Sequence, residues 1–259
     1  MLGPTDPVRL VSHSLATDPA RDVALGAALL ERAEAGGPAA FRLDVPAPTV
    51  SFGRVDRLRA GFPAAVAAAR RHGFAPTLRV GGGRAAAIHE GALTLGLAAP
   101  LAGTATPDRF RWLADVLVGA LARVGVAAAR GQLPGEYCPG DWSVHAGGIK
   151  LAGISQRVKR RAAWTEAFLI VRDGARLRPL LHDLYDALAL PLDPATVGAL
   201  DDLVPGVTVD DVAQALRDEL AARVALVAAP AEPEAVALAA RLRDRHALDG
   251  DAEPSRIGR

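Results

Sequence analysis

The chain has 259 residues, half of them apolar, enough to bury a full core as one large domain or as a catalytic domain with a small appendage. Thirty basic and 29 acidic residues leave a net charge of +1, which excludes a whole-surface field for nucleic acid or an acidic membrane. One cysteine, Cys138, excludes an internal disulfide framework, and six scattered histidines form no zinc-finger spacing. Neither a signal peptide nor a run approaching ~18 apolar residues is present, so a cytoplasmic protein without a membrane partner is expected.

Asp18-Pro19 reads as an N-cap with proline in the first helical turn, and Ala24, Leu25, Ala28, Leu29 and Ala33 continue one apolar face to Gly36-Gly37. Phe41 to Asp44 and Thr49 to Phe52 are β-like runs, and Phe62 to His72 is Ala-rich and helical. Leu78 to Val80 is expected to be a strand entering Gly81-Gly82-Gly83, and Ala92 to Leu97 another strand. Asp108 to Val124 carries helical apolar spacing closed by Gly125. The turn-rich stretch from Pro134 to Gly148 reads as a surface loop feeding paired strands over Ile149 to Val158 and Ala163 to Val171. Leu177 to Ala189 and Val209 to Leu226 are predicted helices; a hinge at 229–233 leads to a last helix ending near Arg245. The pattern predicts an α+β fold, a mixed β-sheet flanked by helices with a helical C-terminal part. The expected division is a catalytic domain over 1–200, a helical segment packed on it over 201–248, and a flexible tail over 249–259.

Two segments carry chemistry. In the first, Arg79 precedes Gly81-Gly82-Gly83-Arg84-Ala85, with His89 and Leu93-Thr94 after it. Consecutive glycines let backbone N–H groups approach a ligand without interference from Cβ, and the arginines add charged donors. Neither the P-loop pattern nor the dinucleotide glycine pattern is satisfied, and a tight turn accounts for three glycines equally well.

The second segment runs from Cys138-Pro139-Gly140-Asp141 to Gly148-Ile149-Lys150-Leu151-Ala152-Gly153 and Gln156-Arg157. Of the thirty basic residues only Lys150 and Lys159 are lysines, so Lys150 is a candidate for work that a planar, permanently charged guanidinium cannot do. A loop cysteine twelve residues before it suggests a thiolate nucleophile with a nearby cation that also stabilises the oxyanion of an attacked thioester. The plainer alternative is a cysteine packed as a small hydrophobe. Trp142, His145 and Trp164 are read as packing residues.

Together these segments resemble the biotin/lipoate protein ligase family, in particular the cysteine-dependent octanoyltransferases and lipoate-protein ligase A. The resemblance rests on Arg79, Gly82-Gly83-Arg84-Ala85, His89 and Leu93-Thr94. It rests equally on Cys138, the Gly148 to Arg157 run around Lys150 and Gly153, and Ser51-Phe52-Gly53-Arg54. Three features differ from the family pattern: one extra residue before His89, a short loop after Cys138, and Thr165-Glu166-Ala167 in place of His-Gly-Thr.

The resemblance implies a tunnel for the acyl group, with Cys138 and Lys150 as catalytic residues and Arg79, Gly81, Gly82, Gly83, Arg84, His89 and Gly153 in substrate binding. It implies transfer of octanoyl or lipoyl from acyl-carrier protein, through a thioester at Cys138, to a lysine of a lipoyl domain or glycine-cleavage H-type protein. That reaction requires no cofactor. The alternatives are an ATP- and magnesium-dependent lipoate ligase, a relay between two lipoyl-bearing proteins, and a non-catalytic module that binds acyl groups or carrier protein.

Overall fold

The computed structural model describes residues 2–3, 5–12, 15 and 17–249, and the part of the expected tail beyond Asp249 lies outside them. A strand β1 (Pro7–Val11) leads to helix α1 (Pro19–Glu34), whose N-cap Asp18 accepts a hydrogen bond from the Arg21 amide at 3.2 Å. Strands β2 (Ala40–Asp44) and β3 (Thr49–Phe52), helix α2 (Phe62–Arg71) and strand β4 (Ala75–Leu78) follow. Beyond the glycine loop come β5 (Ala86–Ile88), β6 (Ala92–Pro100) and helix α3 (Thr106–Arg123). Short strands β7 (Ala129–Arg130) and β8 (Val144–Ala146) flank the cysteine loop, and β9 (Ile149–Val158), β10 (Ala162–Ile170) and helix α4 (Gly174–Ala187) complete the centre. Helix α5 (Val209–Ala221), strand β11 (Ala225–Ala229) and helix α6 (Pro233–Leu242) close the chain.

The strands form two sheets. The larger has the order β11-β1-β2-β6-β10-β9-β8-β7, and the smaller the order β4-β3-β5. In the larger sheet β11, β1 and β2 pair in parallel and the remaining neighbours are antiparallel. The expected mixed sheet flanked by helices is therefore what the chain builds. Helices α3 and α5 cover one face of the large sheet, with Phe41, Leu95, Leu117, Leu169 and Leu216 in the buried core between them. Helices α1 and α6 lie on the other face, and α2 and α4 cover the small sheet through Phe52, Val66, Leu181 and Leu184. No helix of the described residues is long and apolar enough to cross a membrane.

Two boundaries differ from expectation for physical reasons. The helix expected over Val209 to Leu226 ends at Ala221, and Ala225–Ala229 is strand β11, paired with β1 in register from Pro7↔Ala225 to Val11↔Ala229. Short apolar runs fit either period, and here the open edge of a strand more than two hundred residues away decides. The strand expected over Leu78 to Val80 instead ends at Leu78. Its pairing with β3 stops at Phe52↔Leu78, which leaves Arg79 to begin the loop.

Candidate active site

Strand β4 delivers Arg79 into the gap between the two sheets, where it is buried. Its guanidinium Nη1 donates to the Arg84 carbonyl at 3.0 Å and points at Cys138 Sγ at 3.4 Å, while the Arg84 amide meets the same sulfur at 3.3 Å. Negative charge arriving at this sulfur thus has a cation and a peptide dipole already aimed at it. Gly83 makes the approach possible: a Cβ there would stand 2.8 Å from Arg79 Nη1 and 2.9 Å from Sγ, and its φ of +109° suits glycine.

Cys138 is half-buried and has φ +42°, an uncommon conformation for a residue with a side chain. Side chains from two elements hold it there. Tyr185 on α4 accepts the Cys138 amide at 2.5 Å and donates to the Ala85 carbonyl at 2.9 Å, tying the cysteine loop to the glycine loop. Lys150 on β9 donates to the carbonyls of Tyr137 at 2.8 Å and Cys138 at 2.7 Å.

Lys150 is fully buried, 3.3 Å from Glu136 Oε1 and 4.9 Å from the centre of the Tyr137 ring. Burial pulls its ammonium below the ordinary lysine range, and the neighbouring Cys138 and Glu136 partly oppose this. Glu136 also accepts from Ser143 Oγ at 2.6 Å and from the Gly140 amide at 3.1 Å, so the ion pair shapes the whole loop. Gly153 lies beside the lysine tail, where a Cβ would sit 3.3 Å from Cε. Burial likewise raises the Tyr137 hydroxyl well above the usual phenol range.

Behind Arg79 lies a narrow cavity of about 40 Å³ between α1 and the two sheets, lined by Ile88, Leu95, Trp164, Glu166 and Phe168 among others. Its charged lining groups Asp22 and Arg42 pair with each other at 2.5 Å. Glu166, from the Thr165-Glu166-Ala167 departure, accepts from Ser155 Oγ and Trp164 Nε1, each at 2.9 Å, and from the Gly81 amide at 3.4 Å. It therefore fixes the start of the glycine loop, and the Gly82 amide meets the Gln156 carbonyl at 3.4 Å.

The structure thus brings together Arg79, Gly81, Gly82, Gly83, Arg84, Cys138, Lys150 and Gly153. His89 faces elsewhere: its Nδ1 accepts the Gly91 amide at 2.9 Å, its ring meets Phe74 edge-on, and it lines a different cleft with Glu90, Arg172 and Asp173. Glu136 and Tyr185 were invisible as site residues because nothing in their local sequence marks them. Glu166 did have a signal, as a carboxylate in a buried strand where the family pattern has glycine.

Comparison with known proteins identifies the family and the fold. Residues 18–221 match the family model described as lipoyl protein ligase A/B catalytic domain. The chain is 29% identical over 177 residues to an octanoyl-[GcvH]:protein N-octanoyltransferase of Geobacillus kaustophilus, covering 67% of this chain and 60% of that one. It is 25% identical over 179 residues to a lipoyl-[GcvH]:protein N-lipoyltransferase of Listeria monocytogenes, covering 64% of each. The alignment with an Exiguobacterium sibiricum octanoyltransferase spans 43% of that relative's length. In fold, the chain is similar to lipoate-protein ligase A bound with ATP, with TM-score 0.71 and 18% identity over 93% of this chain and 95% of that one. It is also similar to the bipartite lipoate protein ligase of Thermoplasma acidophilum, with TM-score 0.67 and 18% identity over 93% and 92%. With four-fifths of its length inside the matched family model, the chain belongs to the lipoyl protein ligase A/B catalytic domain family.

Proposed function

We propose that this protein is an acyltransferase of protein lipoylation, moving an octanoyl or lipoyl group through a thioester on Cys138 to the lysine of a lipoyl-type domain. The observation that carries this reading is the grip on Cys138. Tyr185 and Lys150 hold its amide and carbonyl at φ +42°, and the sulfur faces Arg79 and the Arg84 amide. Strain kept at one half-buried thiol that also faces a guanidinium and an amide supports a reacting residue over a cysteine that merely packs.

In the proposed sequence the Cys138 sulfur attacks the donor's acyl carbonyl, the S-acyl bond forms, and the donor leaves as a thiol or an amine that takes up a proton. The acceptor lysine amine then attacks the thioester, giving an amide and returning the thiol. Arg79 and the Arg84 amide stand where charge develops, and Lys150 acts through the loop backbone it holds. An acyl tail in the cavity behind Arg79 gains roughly 0.8 kcal/mol per buried methylene, available for positioning the carbonyl.

Two donors fit the chemistry: acyl-carrier protein, and an octanoylated H-type protein. The names of the relatives place the acyl group on GcvH, which favours the relay between two lipoyl-bearing proteins. The proximity of Lys150 to the Cys138 backbone supports catalysis over the non-catalytic binding module. The ligase alternative would need ATP and magnesium and makes no use of Cys138.

The test is intact-mass analysis of the protein mixed separately with octanoyl-H protein, octanoyl-carrier protein, and lipoate with ATP. An octanoyl adduct on wild type that is missing from Cys138→Ala supports the covalent route. Full-rate acylation of a lipoyl domain by Cys138→Ala, or product only with ATP and magnesium, rules it out.

A further inference from the structure

Two exposed stretches border the glycine loop, and both are basic. On one side the residues after β3 enter a one-turn 3-10 helix, Asp56–Leu58. They lie hard against the loop: a Cβ on Gly53 would stand 1.8 Å from the Gly83 carbonyl oxygen. Buried Asp56 ties the turn down, accepting from the Gly53 amide at 2.9 Å and from Arg84 Nη1 at 3.4 Å. On the other side runs β9. Ser155 faces Gly81, whose Cβ would reach Ser155 Oγ at 2.2 Å, and strand alternation puts exposed Arg157 on the same face two residues on.

The turn holds apolar side chains out in solvent. Leu58 is 75% exposed, more than any other large apolar side chain among the described residues, and Val55 is 46% exposed. Exposed Arg54 and Arg57 alternate with them. Between residues 51 and 61 the sole carboxylate is Asp56, already buried and paired, and between 154 and 161 there is none. The cysteine loop contributes one exposed carboxylate, Asp141. In a chain of thirty basic and 29 acidic residues, this rim is a local excess of positive charge around apolar groups. A single exposed leucine is ordinary; one held with a valine and arginines on a latched turn beside the thiol marks a contact surface.

Acyl transfer to a protein lysine makes contact here unavoidable. An extended lysine side chain spans roughly 6 Å, so the acceptor's backbone must come about that close to the thioester. A specific interface covers about 800 Å² of each partner, a disc of roughly 16 Å radius. Contacts of 3.3 Å from the sulfur to the Arg84 amide and 3.4 Å from Arg84 Nη1 to Asp56 bring the turn within its reach.

We propose that the 54–58 turn, with Arg157 across the glycine loop, is the docking surface for the lipoyl-type acceptor domain. The domain sets a lysine flanked by carboxylates over Cys138 and an apolar residue against Leu58 and Val55. This rests on the acyl-transfer reading above and adds how the acceptor is recognised. The arginines select acidic neighbours of the lysine and steer the encounter, and the apolar pair holds the complex by buried area.

The experiment separates docking from chemistry. Octanoyl-N-acetylcysteamine labels Cys138 without a protein partner, forming the S-octanoyl cysteine and releasing N-acetylcysteamine. The labelled enzyme then meets an isolated lipoyl domain, whose lysine amine takes the octanoyl group as an amide and returns the thiol. Arg57→Glu and Leu58→Ser should label at the wild-type rate. Each should raise the half-saturating lipoyl-domain concentration roughly tenfold with the maximal rate unchanged, the scale of losing an interface anchor. Wild-type transfer should weaken with added salt while labelling does not. An unchanged half-saturating concentration in both variants overturns the surface. Loss of labelling in step with transfer does the same, since the turn then only supports the site. A defect confined to octanoyl-carrier protein as donor overturns the acceptor assignment. Calorimetric titration of the lipoyl domain into wild type and Leu58→Ser tests docking apart from the reaction. Equal affinities sink the surface, whereas absence of any label on wild-type Cys138 sinks the acyl-transfer reading.

Discussion

Lys150 Nζ stands 2.7 Å from the carbonyl oxygen of Cys138, so the two residues meet through the backbone of the cysteine loop. The lysine's other partners are the Tyr137 carbonyl and Glu136, all out of solvent. Replacing it should therefore damage the loop before it damages a reaction step. Lys150→Met should lose about 3–5 kcal/mol of stability in urea unfolding, the cost of leaving a buried carboxylate uncompensated. The double variant Lys150→Met/Glu136→Gln should recover a substantial part of that loss. Unchanged stability in the single variant would instead assign the lysine to chemistry alone.

Arg79 is the cation that touches the sulfur, and its Nη1 donates to both the Arg84 carbonyl and Sγ. A lysine keeps the charge and loses the geometry. Arg79→Lys should slow adduct formation on Cys138 by about 10²-fold, comparable to removing one oxyanion donor. Stopped-time intact-mass measurement gives the rate directly.

Tyr185 shares no sequence neighbourhood with the site, yet its hydroxyl joins the Cys138 amide to the Ala85 carbonyl. Tyr185→Phe keeps the buried ring and removes the link, so about 1–3 kcal/mol of stability should go with the unsatisfied groups. Adduct formation should fall by a larger factor than global unfolding explains at the assay temperature. A rate that merely tracks the folded fraction would show that the hydroxyl has no positioning role.

His246 hooks the C-terminal segment onto the strand before Arg79, its Nδ1 donating to the Leu78 carbonyl at 2.6 Å and its own carbonyl accepting the Leu78 amide at 2.8 Å. Burial holds its imidazole below the ordinary histidine value of about 6.5, and the Leu78 bond, Glu166, Arg54 and Arg245 adjust it further. The unfolded chain then binds the proton more readily than the folded one, and stability falls as pH drops below about 6.5. His89, also lowered by burial, adds the same sign. Thermal melting between pH 7.5 and 5 should show this slope, and His246→Gln should flatten part of it; a slope identical in the variant would exclude His246 as a source.

Much of the fold was legible because the helices announce themselves locally. Asp18-Pro19 caps and starts α1, and the spacing of Leu113, Leu117 and Leu121 identifies the buried stripe of α3. The expected strand pair became β9 and β10 because each is long enough for its pattern to stand out. By contrast β1, β5 and β11 have only three to five residues, and their pairing partners are remote in sequence. Residue type could not separate them from loop or helix.

The same division holds for the site. The sequence by itself determined which residues are chemically exceptional: a single cysteine, a lysine among arginines, a run of glycines and the spacing that joins them. Those facts depend on residue identity, and identity is complete in the chain. Only the tertiary structure decided what each one touches. It put Arg79 at the sulfur, Lys150 at the carbonyl, Tyr185 at the amide, Trp164 across the cavity and His89 in another cleft. These contacts join β4, β9, α4 and β10 across two sheets, and such distances arise from packing that no local window of sequence contains.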